Sequence, residues 1–310
     1  MRTLIFSTFL CGALSAQVGG PLIGYVAEGA HIRPMYGLPA AGAIGAPLDA
    51  GRDFALSAIA PAGNFVLVTT ADTGQVMVYK PASGLTAVSG ASASPNALAI
   101  SPGGSSAALW FPLTGKLEIV TGLPDSPAVR TIDASFLNAS PLSIAVTDDG
   151  QWAAGLWAAG VYSFGPSNVV IPLQTDPGVV ALSFFHNNHD LALATASRAT
   201  AIADVGGATQ MSVLYDYSAL NLSPRAIAVS FDNRTAVVAD RGGTLVNLST
   251  STVSNCGCSP TGLYGLGGAL FRLNAPSPRR ELKLFDAAQG SVLIVPPALN
   301  TLGNQAGGGQ

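Results

Sequence analysis

The sequence predicts an all-β fold built from about six copies of one short unit. Three observations predict it. Glu and Lys, which favour exposed helix faces, occur only three times each in 310 residues. The 36 Gly and 21 Pro break the chain often, as many short strands joined by turns require. Finally, a hairpin-like segment recurs along the chain at an average spacing of about 41 residues.

The recurring unit opens on a Ser-Pro or Asp-Pro pair. Five pairs follow a regular spacing, with starts separated by 46, 36, 47 and 36 residues. Proline is acceptable at the first residue of a strand, so each pair is typical of a loop that enters one. The pairs are Ser94-Pro95, Ser140-Pro141, Asp176-Pro177, Ser223-Pro224 and Ser259-Pro260.

A run of small and branched apolar residues follows four of the pairs, and a copy without the pair precedes them. Each run leads through a polar turn into a second apolar run, which predicts a hairpin. The fifth pair leads into the weaker, Gly-rich segment TGLYGLGGALFRL. The five runs are LSAIA (56–60), ALAIS (97–101), SIAVT (143–147), VVALS (179–183) and AIAVS (226–230).

Each unit continues with a third strand and often a fourth. In the first unit the third strand is QVMVYK (75–80) and the fourth is LTAV. A period near 40 residues with four strands per unit selects a β-propeller. Strands nearest a propeller axis are crowded on both faces, and the small apolar runs fit that position. The predicted blades number six and begin near residues 54, 95, 141, 177, 224 and 260.

An extra hairpin, LIGYV (22–26) and HIRPMY (31–36), precedes the six units. It supplies outer strands to the last blade, so that the two termini join in closing the ring, or it belongs to a seventh blade. Both alternatives remain open from the sequence. The propeller is expected over residues 17–300.

The two ends of the chain are predicted to lie outside the propeller. Residues 1–16 have the pattern of a cleaved signal peptide: Arg2, an apolar core and the small pair Ser15-Ala16. Lipidation at Cys11 is the rival interpretation, but bulky Phe9-Leu10 precedes it. We therefore expect a secreted or periplasmic protein without a membrane span. Residues 301–310, TLGNQAGGGQ, are expected to be a disordered tail.

At the level of architecture the chain resembles the secreted bacterial β-propeller repeat proteins of the broad WD/YVTN-like group. The resemblance covers about residues 54–297. It is carried by the repeated inner-strand pattern and by segments such as TTADTGQVMVYKP (69–81) and VVADRGGTLVNLS (237–249). The Gly-His and Trp-Asp signatures of strict WD repeats are absent, and the resemblance implies no catalytic residues.

Loops at a channel mouth are the expected binding surface, because a rigid ring fixes their positions. The partner is predicted to be an unidentified protein or polymer. A net charge of −3 offers no basic footprint for nucleic acid, and no cofactor is predicted. The units can be aligned on the Ser or Thr at the end of each inner strand. One aligned position then marks the residue at which each inner strand begins. The entering residues are Ala55, Asn96, Leu142, Gly178 and Arg225.

The polar members of this set, Asn96 and Arg225, are the predicted binding residues. A calcium-dependent propeller hydrolase of the lactonase type is the alternative function. It requires six to eight oxygen ligands around one ion, and an amide, a cation and three apolar residues do not supply them. Asp53 and Asp176 remain as possible contributors. A purely structural surface repeat is the third alternative.

Two further pairs of residues are weighed against structural roles. His186 and His189 are close enough to share a metal, but Zn²⁺ sites usually have three or four ligands, and the pair falls where other units have a hairpin turn. We therefore predict a turn, with no metal site and no catalytic residue. Cys256 and Cys258 are predicted to form a local disulfide in the connection between two blades, with metal binding or redox activity as the alternatives.

Overall fold

The computed structural model describes residues 20–38, 41–173, 175–207, 209–275, 277 and 280–297. These residues form 27 strands in seven antiparallel sheets, each built from consecutive strands of the chain. The first sheet has three strands, and each of the other six has four. Short 3₁₀ turns at Ser135–Leu137, Pro166–Asn168 and Ser218–Leu220 are the only helical elements in these ranges.

The strands of the first four sheets are listed in chain order. The first sheet contains β1 (Leu22–Glu28), β2 (His31–Leu38) and β3 (Ala41–Ile44). The second contains β4 (Phe54–Ile59), β5 (Val66–Thr70), β6 (Val76–Lys80) and β7 (Gly84–Ala87). The third contains β8 (Ala97–Ile100), β9 (Ser106–Phe111), β10 (Lys116–Thr121) and β11 (Ala128–Asp133). The fourth contains β12 (Ser143–Val146), β13 (Ala153–Trp157), β14 (Gly160–Phe164) and β15 (Val170–Pro172).

The remaining three sheets follow the same order. The fifth contains β16 (Ala181–Phe184), β17 (Leu191–Ala194), β18 (Arg198–Ala203) and β19 (Gln210–Asp216). The sixth contains β20 (Pro224–Val229), β21 (Ala236–Asp240), β22 (Thr244–Asn247) and β23 (Thr252–Asn255). The seventh contains β24 (Tyr264–Gly265), β25 (Leu270–Arg272), β26 (Leu282–Asp286) and β27 (Ser291–Val295).

The sheets close into a ring. Clusters of buried apolar side chains lie between every two successive sheets and also between the last sheet and the first. In the closing cluster, Val26 and Met35 of the first sheet pack against three side chains of the seventh, and all five are fully buried. The three are Leu282, Leu284 and Val295. The all-β propeller is confirmed, and it has seven blades.

The predicted inner strands are confirmed as the first strand of each sheet from the second to the sixth. Strands β4, β8, β12, β16 and β20 contain the five small apolar runs, and neighbouring members of this series contact one another. In the seventh sheet the inner strand β24 is only two residues long, which explains why its repeat is weak in the sequence. Six inner strands therefore exist where six units were predicted.

The blade that was not counted is the first sheet, the seventh blade that the sequence left open. The N-terminal hairpin does not add strands to the last sheet but forms this separate sheet with β3. Among the described residues, the two ends of the propeller therefore meet by side-chain packing and share no hydrogen-bonded strand.

Within the described residues, the first sheet has no strand in the innermost position. A β-carbon added at Gly63, in the turn after β4, would lie 3.2 Å from the Cα of Gly24 near the start of β1. At the other end of β4, the Phe54 amide donates to the carbonyl of Ala30, just beyond β1. β1 therefore runs opposite to the inner strand β4, as the second strand of a blade does. The sequence shows no inner-strand pattern in this sheet because none of its described strands occupies the inner position.

The second strands, not the inner ones, are the most deeply buried. Every residue of β5, β9, β13, β17 and β21 is buried, whereas all four residues of β8 are half-buried. A second strand has a hydrogen-bonded neighbour on each side and a blade on each face. An inner strand has one edge that faces the channel, which leaves part of its surface accessible.

The predicted signal peptide (1–16) and tail (301–310) lie outside the described residues. Among those that are described, none of the helices has the length and hydropathy that a membrane-crossing helix requires.

Candidate binding surfaces at the two channel mouths

The channel has two mouths, which differ in chemistry. We name the end where the six inner strands begin the entry mouth; its residues are Ala55, Asn96, Leu142, Val180, Arg225 and Tyr264. We name the opposite end the exit mouth; it is formed by the turns that follow the inner strands, 60–65, 101–106, 147–152, 185–190, 230–235 and 266–269. The two predicted binding residues lie at the entry mouth.

Asn96 and Arg225 occupy blades three positions apart in the ring. The Asn96 side-chain amide donates to the hydroxyl of Ser140 in the next blade, at 3.4 Å. Arg225 is exposed on β20, at a bulge between Pro224 and Ala226. In the described part of the chain its guanidinium makes no hydrogen bond or ion pair. Arg225 is therefore free to bind a partner, while Asn96 is partly engaged in joining two blades.

Apolar side chains accompany these polar residues at the entry mouth. Leu142 is 73% exposed, Val180 is 40% exposed and Tyr264 is 44% exposed. Val180 takes the position that the sequence alignment gave to Gly178, because β16 begins at Ala181, three residues beyond Gly178. Tyr264 escaped the alignment because its repeat lacks the Ser or Thr that closes the other inner strands. Exposed apolar residues next to a free cation are typical of a surface that binds another macromolecule.

The channel interior near the exit mouth is small and lined mostly by apolar residue types. It encloses a cavity of about 190 Å³, and its walls include Ile100, Ile144, Leu182 and Phe271. Sites for drug-sized ligands usually measure about 300–1,000 Å³. Among the described residues, no three His, Cys, Asp or Glu side chains are grouped so that they hold a metal ion. No Asp or Glu is among the described residues that line this cavity, so its lining lacks the carboxylates that a calcium centre usually has.

The exit mouth is fastened by hydrogen bonds between blades. Asp148, which is buried, accepts the amide of Gly103 from the preceding blade at 2.5 Å and the amide of Asn187 from the following blade at 2.7 Å. Its neighbour Asp149 instead accepts the hydroxyl of Thr147 in its own turn. Asp149 also lies 2.8 Å from His189 Nε2 of the following blade. Asp148 connects three blades.

The histidine pair lies in the loop between β16 and β17, the turn position that was predicted. His186 stacks on Phe231 of the next blade, with ring centroids 3.9 Å apart. His189 Nε2 lies 2.8 Å from Asp149 Oδ2 of the preceding blade, and its Nδ1 lies 3.8 Å from Asp204 Oδ1. His186 Nε2 also lies 3.7 Å from Asp148 Oδ2 of the preceding blade. Both imidazoles therefore lie near the turn that contains Asp148 and Asp149, each beside a different carboxylate.

Cys256 and Cys258 are joined by a disulfide in the connection between β23 and β24. Cys258 borders a second cavity of about 1,020 Å³, whose lining also includes the polar side chains of Thr261, Asn274 and Lys283. The Lys283 ammonium is buried and pairs with Glu281 at 2.7 Å. The cations and carboxylates of this cavity are thus at least partly neutralised by one another.

Comparison with known proteins supports the architecture and nothing narrower. No family model and no curated protein matches the chain. Among solved structures, it is similar to the β-propeller domain of Cps50 (Swd1) from Myceliophteria thermophila, with a TM-score of 0.57 and 12% identity over 78% of this chain and 86% of that one. It is also similar to a functionally unknown protein from Desulfotomaculum acetoxidans, with a TM-score of 0.56 and 16% identity over 88% of this chain and 99% of the other.

The fold is that of a β-propeller. At these identities the likeness extends to the fold alone. It agrees with the WD-like resemblance that the repeats indicated.

Proposed function

We propose that the chain is an exported, non-catalytic binding or scaffold module that recognises a protein or polymer partner at its entry mouth. The observation that carries the proposal is the combination of a free Arg225 with the exposed side chains of Leu142 and Val180 on one rigid rim. Interfaces commonly combine Arg with apolar contacts. A propeller holds such residues in fixed positions, so partner binding costs little ordering entropy.

The size of the channel favours a macromolecular partner over a small ligand. The cavity of about 190 Å³ is below the usual range for ligand pockets. A macromolecule does not need to enter it, because the rim alone offers contacts. The net charge of −3 argues against the phosphate backbone of nucleic acid as the partner.

Export is part of the proposal, and two features support it. The N-terminal segment 1–16 has the composition of a signal peptide. The disulfide between Cys256 and Cys258 suits an oxidising compartment. N-terminal sequencing of the protein from the periplasm or medium tests this part. A start near Gln17 supports export with cleavage, and an intact Met1 in the cytoplasmic fraction refutes it.

Partner capture tests the surface. The full chain is immobilised, and extracts are compared over wild type, Arg225→Ala, Leu142→Ser and Asn96→Ala. Arg234→Ala is the matched control, because its side chain is 86% exposed at the exit mouth. We expect a partner that wild type and the control retain, with at least tenfold weaker capture by Arg225→Ala and Leu142→Ser. Equal capture by all variants rejects the entry mouth as the binding surface.

A further inference from the structure

Arg272 has a buried guanidinium that forms no ion pair with any described residue. It lies on β25 and is 7% exposed. Its Nε is buried and has no hydrogen-bond partner, and in the described part of the chain the side chain forms no ion pair. Its one aromatic contact is the ring of Tyr264, whose centroid lies 4.2 Å from the guanidinium carbon. Nothing in the fold or in the proposed function uses this charge.

An arrangement of this kind is costly for a folded protein. A buried charge is normally paired, since desolvation penalises the charged form. Burial lowers the pKa of Arg272, and the nearby Tyr264 opposes that effect. A tyrosine ring attracts a cation through its quadrupole but does not replace the hydrogen bonds that a guanidinium loses on leaving water. The site therefore lacks an acceptor.

The neighbouring charged groups do not supply one. Arg33, on the adjoining sheet, is occupied by an ion pair with Glu28 at 2.5 Å and by a hydrogen bond to the carbonyl of Gly45. Lys283 and Glu281 pair with each other. Each of these nearby carboxylates thus already has a cation as its partner.

The position of Arg272 in the ring gives an outside group access to it. Arg272 pairs directly with Tyr264 across β25 and β24, so both side chains lie on the same face of the sheet. Leu270, two residues earlier on β25, packs in the cluster with the first sheet, so this face points towards the first blade.

The first blade has no inner strand among the described residues. The side of β24 that faces the first blade is therefore not covered by a neighbouring inner strand. At the exit end the inner layer is closed, because a β-carbon added at Gly265 would lie 3.7 Å from Pro61 of the second sheet. At the entry end Tyr264 is 44% exposed. The ring of Tyr264 is therefore the cover over Arg272 on the side of the entry mouth.

We propose that Arg272 and Tyr264 form a recognition site for a carboxylate at the entry mouth. The guanidinium supplies two parallel N–H donors, which match the two oxygens of a carboxylate. The exposed ring of Tyr264 supplies a flat apolar wall for the carbon skeleton that carries the acid. A single cation matches a monoanion, whereas a phosphate dianion is usually held by several cations or backbone amides. The bound carboxylate provides the acceptor that the fold lacks.

This inference adds a ligand chemistry to the mouth named in the proposed function, and its test does not depend on a captured partner. The melting temperature of the full chain is measured with sodium benzoate, succinate or a blocked Gly-Glu-Gly tripeptide, against sodium chloride at equal ionic strength. The free acids and the peptide distinguish a small-molecule carboxylate from a side-chain carboxylate. Phosphate is the competing anion.

We expect benzoate at a hundredfold excess over its Kd to raise the melting temperature of wild type by about 4 °C. Arg272→Met should abolish this shift. Arg272→Lys should weaken benzoate binding about tenfold, because an ammonium lacks the two parallel N–H donors of the guanidinium. Arg241→Met, an exposed arginine of the sixth blade, is the control and should respond as wild type does. Removal of an unpaired buried charge should also raise the melting temperature of Arg272→Met in chloride alone.

Three results overturn the proposal. They are the absence of any benzoate, succinate or peptide shift in wild type, an equal shift in Arg272→Met, and a phosphate shift as large as that of the carboxylates. If Arg272→Met does not fold, calorimetric titration of benzoate into Tyr264→Leu decides the question. That substitution is at a partly exposed position, and affinity equal to wild type would reject the site.

Discussion

The carboxylate of Asp148 offers the sharpest test of how the blades are held together at the exit mouth. It accepts one backbone amide from the third blade and one from the fifth, and its side chain is 6% exposed. Replacement by Ala removes both acceptors at once. A hydrogen bond to a charged group contributes about 1.5–3 kcal/mol to stability.

The loss of two such bonds lowers the free energy of unfolding by at most about 6 kcal/mol, and two effects reduce that loss. Removal of the carboxylate relieves its desolvation, and water reaches the amide of Asn187, which belongs to an exposed residue. We therefore expect Asp148→Ala to lower the free energy of unfolding by about 2–3 kcal/mol. Asp148→Asn keeps one acceptor oxygen and should lose about half as much.

Urea denaturation followed by tryptophan fluorescence measures this loss, because Trp152 closes the same turn as Asp148. With a denaturant slope of about 3 kcal/mol/M, the midpoint should fall by about 0.7–1 M. Asp232→Ala is the matched control. Asp232 occupies a comparable turn of the sixth blade, where it accepts the Ser230 hydroxyl and the Arg234 amide of its own hairpin.

If Asp148 connects neighbouring blades, its replacement should also change hydrogen exchange in those blades. In Asp148→Ala, hydrogen exchange should accelerate at the amides of both Gly103 and Asn187, whereas Asp232→Ala should leave both unchanged. If the two alanine variants lose the same stability within about 0.5 kcal/mol, the carboxylate contributes only to its own turn, and the argument for fastening between blades is wrong.

Two further predictions concern single polar groups. Tyr217, fully buried, donates its hydroxyl to the carbonyl of Thr195 at 2.8 Å, so Tyr217→Phe should cost about 1–2 kcal/mol in urea unfolding, while Tyr215→Phe, at a half-buried position, should cost less than about 0.5 kcal/mol. Desolvation raises the pKa of Asp149, but hydrogen bonds from Thr147, Gln151 and His189 outweigh it and hold that pKa below the usual 3.8. The resulting stability is present above about pH 4 and is lost as the pH falls further. Asp149→Asn should therefore flatten the acid limb of a plot of unfolding free energy against pH, and an unchanged limb would contradict this assignment.

The success of sequence-based prediction differed between the repeats and the contacts that join them. The small apolar runs located β8, β12 and β20 to within about three residues, because every inner strand meets the same crowding and so carries the same pattern. The first sheet was not counted as a blade for the same reason, since it has no inner strand among the described residues. Periodicity detects a blade only through the element that repeats.

The contacts between blades left no comparable signal. Asp148 and Asp149 look alike as a turn pair, and only the positions of Gly103 and Asn187 separate their roles. Arg272 likewise reads as one charge in a weak apolar segment. Its importance comes from what is absent around it, and sequence patterns do not reveal an absent neighbour.

Closure without a shared strand raises the question of whether packing alone holds the ring together. Joining the ends of a chain of about 270 residues costs about 5 kcal/mol of loop entropy plus a constant. The closing cluster buries five large apolar side chains, Val26, Met35, Leu282, Leu284 and Val295. At about 1.5–3 kcal/mol each, their burial contributes roughly 7–15 kcal/mol as an upper estimate. Packing of this size offsets the length-dependent part of the loop entropy without hydrogen bonds at the edge of β1 that faces the axis. At the junction between the last blade and the first, Tyr264 is exposed at the entry mouth, and Arg272 beside it has no ion-pair partner in the described part of the chain.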